Sequence, residues 1–270
     1  MNYIETSFLR SSSFDQLQAI PNKKISFKLF YELLSGMTDE KQFVKRKIQI
    51  LKAKKLDACI DWRTPNAIIF NAFGIDAKRN PGSDAIKSIV SYISDNTIYA
   101  DLNENIMKSK FGINLNMIHE HDLQGVNIMK NQVHNLIDDE RKTKLGFNKV
   151  FAKGENNSEI YSAVELDKNL FIREFANQIV KSTNNPIITY PILLNNYDGS
   201  LDLYLRCMGM HNNNVILTGR YLGKNDGHDY DHLLYITKDD IVYSTDHIFK
   251  SFEEYGYLKL GNAGIPLEAQ

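Results

Sequence analysis

The sequence predicts an α+β fold: a helical N-terminal two-thirds packed on a C-terminal antiparallel sheet of about five strands. Two observations carry this. Helix signals dominate up to about residue 185, and apolar β-branched runs separated by turn clusters follow Pro186. Strands joined by short loops make an antiparallel meander. The 270 residues read as a single domain, 1–270, with a helical lobe 1–185 and a sheet lobe 186–270.

The helical elements are read from caps and apolar spacing. Ser26 caps a helix that Gly36 stops. Thr38 starts a longer one to about Leu56, with Phe43, Val44, Ile48 and Leu51 at helical spacing. Pro65 suits the first turn of a helix running to Phe73 and ended by Gly74. Ser83 caps Asp84–Ser94, a helix is expected over 122–142, and Asp167 caps another to about Ser182.

The strands follow from composition and turns. Ile187–Leu194 is apolar, Asp198-Gly199 is a hairpin signal, and Leu201–Met210 and Val215–Leu222 flank the turn cluster His211-Asn-Asn-Asn214. Residues 232–237 and 241–246 complete the sheet around Lys238-Asp239-Asp240, with a final helical turn at Phe249–Tyr255. If those three residues form the loop, His232 stands directly opposite Asp246 on one sheet face.

Composition excludes several classes. The content is 43% apolar and 11% aromatic, which supports a sizeable core without metals or disulfides. A net charge of −1 gives no global attraction to nucleic acid or an anionic membrane. The two cysteines, Cys59 and Cys207, make no disulfide framework and read as free thiols. No run reaches the roughly 18 apolar residues of a spanning helix. The start, Met1-Asn-Tyr-Ile-Glu-Thr-Ser, lacks the basic and apolar regions of a Sec-type signal. Its continuation through Ser11-Ser12-Ser13 is polar. The expected location is the cytoplasm, or a host cell reached through a specialised secretion system. No GxGxxG, GxxxxGK[ST] or GxSxG motif occurs, so the standard phosphate loops and nucleophile elbow are absent.

The principal constellation is Cys59, His232 and Asp246. A thiol needs a base to form the thiolate and a group to hold that base. An early cysteine followed by His and Asp on late strands is similar to the papain-like cysteine hydrolases. That family spans proteases, deamidases and acyl-transfer enzymes, bacterial effectors and toxins among them. The resemblance implies a papain-like topology, Cys59 as nucleophile, His232 as general base and Asp246 as the orienting carboxylate. The reaction expected on this reading takes a protein substrate through a thioester, with no cofactor or metal. Cys59 falls ahead of the Pro65 helix, and the nearest upstream glutamine, Gln49, falls inside a helix.

Other clusters give other readings. His228-Asp-Tyr-Asp-His232 has donors for a divalent metal, which makes a metal-dependent hydrolase using His228 and His232 the enzymatic alternative. His119-Glu-His121-Asp122 lacks the second histidine of HExxH, and His134 lies further on. The helix carrying Lys41, Lys45, Arg46, Lys47, Lys52, Lys54 and Lys55 could bind phosphates, an anionic membrane or an acidic partner. With the C-terminal sheet it would serve a noncatalytic protein-interaction module. Trp62 could line the approach to Cys59, and Cys207 reads as packing.

Overall fold

The computed structural model describes residues 1–76, 81–95, 98–102, 104–124, 157–183, 185–218 and 226–261. The chain folds as two compact units. The first combines Met1–Thr64, Arg79–Gln124 and Tyr235–Gln270; the second combines Pro65–Lys78 and Gly125–Leu234.

The first unit holds a five-stranded sheet whose pairings are all parallel. Its strands are β1 (Asn2–Ile4), β2 (Lys23–Ser26), β3 (Ala58–Asp61), β4 (Ile241–Tyr243) and β5 (Lys259–Leu260). Their order is β3-β2-β1-β4-β5. The predicted α+β class and antiparallel meander are therefore corrected to α/β with a parallel sheet, and the papain-like topology goes with them. The strands are not confined to 186–270: β1, β2 and β3 come from the region read as helical. The reason is length. Strands of two to four residues are too short to show an alternating pattern, and parallel partners need helical crossovers rather than hairpins.

Register is defined at each pair. Tyr3 lies against Lys24 on one side and Val242 on the other. Lys24 in turn pairs with Cys59, and Val242 with Leu260. Tyr3, Ile4, Ile25 and Val242 are fully buried, as strands of a covered parallel sheet require. The lysines of β2 fit because their stems are apolar and their ammonium groups reach carbonyls. Lys23 Nζ donates to Ile20 O at 2.7 Å and Lys24 Nζ to Tyr235 O at 2.5 Å.

Two short helices, α1 (Thr6–Ser11) and α2 (Phe14–Ala19), join β1 to β2. A capping box between Ser13 and Gln16 starts α2. Next come α3 (Phe27–Ser35) and α4 (Glu40–Lys55), leading into β3. Ser26 caps α3 as its sequence predicts, whereas Asp39, not Thr38, caps α4. Beyond β3 lie α5 (Pro65–Ala72), α6 (Pro81–Ser94), α7 (Glu104–Phe111) and α8 (115–124). Ser83 does not cap α6; its hydroxyl donates to Trp62 O at 2.5 Å. Most of the helix expected over 122–142 lies outside the described residues.

The second unit begins with α5. Its end is a Schellman turn, in which Gly74 at φ +74° donates to Asn71 O and Ile75 N–H to Phe70 O. Then follow α9 (Asn157–Thr183), α10 (Tyr190–Asn196), α11 (Asp202–Thr218) and α12 (Asp226–Leu233). Asp167 is interior to α9 and caps nothing. The strands expected at Ile187–Leu194 and Leu201–Met210 are instead α10 and α11, and 215–218 continue α11, with 219–222 outside the described residues. Leu201, Tyr204, Leu205 and Met208 are buried, at the spacing of a helix face. Asp198-Gly199 is not a hairpin: Asp198 accepts from Ser200 N–H, and Gly199 O accepts from Asp202 N–H at the mouth of α11.

The chain then returns to the first unit with β4, followed by α13 (His247–Glu254) and β5. Phe249 and Phe252 of α13 are buried and meet edge to face, 6.2 Å between centroids. Phe249→Ala should cost about 3–5 kcal/mol, the usual range for emptying a buried ring. Ile241→Ala, at a side chain 37% exposed, should cost under about 0.5 kcal/mol. Urea unfolding of both variants measures the difference, and equal losses would place Phe249 outside the core.

Candidate functional site

A parallel sheet gathers the carboxyl ends of its strands on one edge. The strand order reverses direction between β1 and β4, and in open α/β sheets that switch point is where ligands bind. The residues just past β1 are Glu5, Thr6 and Ser7; those past β4 are Ser244, Thr245 and Asp246.

Glu5 is 2% exposed and is the N-cap of α1. Its Oε2 accepts from Ser7 N–H at 2.8 Å, from the Ser7 hydroxyl, and from Ser244 Oγ at 3.1 Å. Its own N–H donates to Tyr243 O at 3.0 Å, stitching the ends of β1 and β4 together. Several donors satisfy the lone pairs of a buried carboxyl group, which offsets part of the cost of burying it.

Glu32 projects from α3 with its side chain 16% exposed. One carboxylate oxygen of Glu32 and one of Glu5 lie within 4.8 Å of each other. Two anions that close must share a proton or be bridged by positive charge. The cation of the same turn, Lys28, is 4.0 Å from Glu32 Oε1, at the outer limit of an ion pair. Tyr3 registers the local field. Burial above all pushes its phenol well up; Ser26, 2.8 Å away, pulls it down, while Tyr235, Glu5 and Glu32 push further up.

Asp246 occupies the N-cap position of α13 but makes no side-chain capping bond. Its backbone N–H donates to Ser244 Oγ at 3.0 Å, and Thr245 N–H donates to Ser7 Oγ at 3.1 Å. At the end of β3, Asp61 is spoken for. Burial raises its pKa, but Arg63 overcomes this with side-chain bonds of 2.9 and 2.5 Å and leaves it lowered.

Beside this edge lies a cleft of about 770 Å³ whose walls include Ser7, Arg10, Lys45, Arg46, Gln49 and Thr245. Burial and the charge of Arg10 lower the pKa of Arg46, while the field of Glu32 opposes them. Among the described residues, no carboxylate comes within ion-pair distance of Arg10, Lys45 or Arg46. Like charges held together in this way form a seat for an anion. Ser7 and Thr245 belong both to the cleft wall and to the network around Glu5.

The sequence-predicted residues are distributed differently. Cys59 is exposed in edge strand β3, not at a helix N-terminus. His232 is fully buried in α12, and 232–237 is not a strand. The hairpin that set His232 opposite Asp246 does not form, so the orienting pair loses its geometric basis. His228 is in α12 as well, and its side chain lies outside the described residues. His119 and His121 of α8 take separate partners: His119 Nδ1 donates to Ser35 O at 2.9 Å, and His121 Nδ1 lies 2.8 Å from Tyr31 Oη. His134 is outside the described residues. Trp62 stacks on Phe30 at 4.9 Å. Within the basic helix, Lys45 and Arg46 reach the cleft, while Lys52 Nζ donates to Leu9 O at 2.7 Å.

Glu5, Glu32, Ser7 and Arg10 were missed in the sequence. The signal was present: an apolar pair, Tyr3-Ile4, followed by an acid and two hydroxyls, is a strand running into a polar turn.

Burial pushes the Cys207 thiol far up, so it stays protonated and enclosed at neutral pH. Iodoacetamide at pH 8 should modify Cys59 in the native protein and Cys207 only after denaturation. Peptide mass mapping distinguishes them, and native labelling of Cys207 would contradict its burial. No protein-family model, no curated protein and no solved structure matches the chain.

Proposed function

We propose that the protein is a divalent-cation-dependent hydrolase of phosphodiesters, with a single-stranded nucleic acid as the substrate class. The observation that carries this is the approach of the Glu5 and Glu32 carboxylates within 4.8 Å at the sheet's switch point. Paired carboxylates suit Mg²⁺ or Mn²⁺, which take oxygen ligands. Asp246 is a third carboxylate on the same sheet edge. A metal-dependent hydrolase is also the enzymatic alternative that the sequence offers, and here Glu5 and Glu32 supply its carboxylates.

A bound cation would supply an activated water and neutralise charge developing on the phosphoryl oxygens. Glu5 would hold it from a fixed rotamer, Glu32 from the α3 side. Arg10, Lys45 and Arg46 would seat neighbouring phosphates, which are contacted without regard to base identity. In the balanced reaction, water oxygen bonds to phosphorus, the phosphorus–oxygen ester bond breaks, and the departing oxygen takes up a proton. The net charge of −1 argues against a polyanion only on average; the cleft concentrates positive charge locally.

The test is cleavage of a fluorescent single-stranded RNA or DNA oligonucleotide with Mg²⁺ or Mn²⁺. EDTA should abolish it, and Glu5→Gln and Glu32→Gln should each lower kcat by about 100-fold or more. Cys59→Ser should leave it unchanged. Cleavage that survives EDTA, or that Cys59→Ser abolishes, would overturn the proposal.

Arg46→Ala should raise KM for the oligonucleotide several-fold more than it lowers kcat, and should flatten the dependence of binding on salt. An unchanged salt slope would exclude the cleft from phosphate binding.

A further inference from the structure

Glu5 does not stand alone at the switch point. Ser7 and Ser244 both direct hydroxyls at the same oxygen, Oε2. Each of these hydroxyls also accepts a backbone N–H from the turn after β4: Thr245 N–H to Ser7 Oγ at 3.1 Å, and Asp246 N–H to Ser244 Oγ at 3.0 Å. The serines come from opposite sides of the sheet's reversal and lie 3.4 Å apart, oxygen to oxygen. A hydroxyl has one proton to give and lone pairs to receive. With the proton committed to Glu5 and a lone pair to the turn, each serine passes the position of one to the other.

We propose that Ser7 and Ser244 are positioning residues that lock the Glu5 carboxylate to the turn carrying Asp246. This rests on the hydrolase reading above, whose cation Glu5 would hold. The serines would not be ligands of the cation. They act through Glu5, restricting its rotamer and keeping Oε2 occupied, so that both carboxylate-bearing segments keep one spacing. Ser7 also forms part of the cleft wall, so an anion seated there would press on the group that orients Glu5.

Two measurements on the full chain test this. In the first, Mn²⁺ binding is followed by calorimetry without substrate in wild type, Ser244→Ala and Ser244→Thr. The expected result is affinity about 10-fold weaker in Ser244→Ala, the scale for removing an outer partner of a ligand, with recovery in Ser244→Thr. In the second, amide hydrogen exchange is followed in the same proteins without metal. Asp246 N–H should exchange faster in Ser244→Ala and regain protection in Ser244→Thr, and Thr245 N–H should exchange faster in Ser7→Ala. Folded Ser244→Ala that binds Mn²⁺ like wild type overturns the positioning role. If wild type binds no Mn²⁺, the hydrolase reading falls by itself. The lock then stands or falls on exchange: unchanged protection of both amides overturns it.

Discussion

The pairing of β1 with β4 is the constraint on which the first unit depends. Asn2, Tyr3 and Ile4 lie beside Ile241, Val242 and Tyr243 in parallel register. Hydrogen bonds run from Ile241 N–H to Met1 O and from Glu5 N–H to Tyr243 O, both at 3.0 Å. Because β1 also pairs with β2, it is the middle strand, and its two neighbours come from opposite ends of the sequence. That arrangement fixes the strand order, places the reversal beside β1, and delivers the turns after β1 and β4 to the same place. Glu5 is buried there not as an isolated charge but as an acceptor with several donors, which is the condition for keeping a carboxylate in a protein interior.

Fold and site were legible to different depths in the sequence. The helices with local punctuation were readable: Ser26 and Gly36 bracket α3, and Pro65 and Gly74 bracket α5, because caps and turns are decided by a few neighbouring residues. The strands were not. Asn-Tyr-Ile and Lys-Lys-Ile-Ser carry no period, and what makes them strands is pairing with distant segments. Conversely, Leu201–Met210 is rich enough in large apolar residues to pass for a strand, yet Leu205 and Met208 are buried within a helix and Leu201 is buried just ahead of it.

The site was hidden for the same reason. The expected grouping of Cys59, His232 and Asp246 rests on a hairpin over 232–246, and His232 instead belongs to α12. Asp246 does sit on the functional edge, but as the residue after β4 rather than as the partner of an imidazole. Glu5 and Glu32 are 27 positions apart in the sequence. Only the parallel step from β1 to β2, followed by α3, returns the second acid to the first. Arg46 was visible as one cation among many on α4; its proximity to Arg10 required α1 and α4 to pack.

The position of β1 at the centre also shapes how the chain is made. A ribosome delivers β1, β2 and β3 early, and these can associate while the rest is still being synthesised. One side of β1 then presents bare N–H and C=O groups until Ile241–Tyr243 emerges. Pairings so far apart in sequence close slowly, because a long loop must be ordered before any contact rewards it. During that interval the nascent sheet has an open edge at its future middle, the kind of surface on which chaperones act and on which two unfinished copies can join. The same strand that organises the finished site therefore carries an open edge in the unfinished protein.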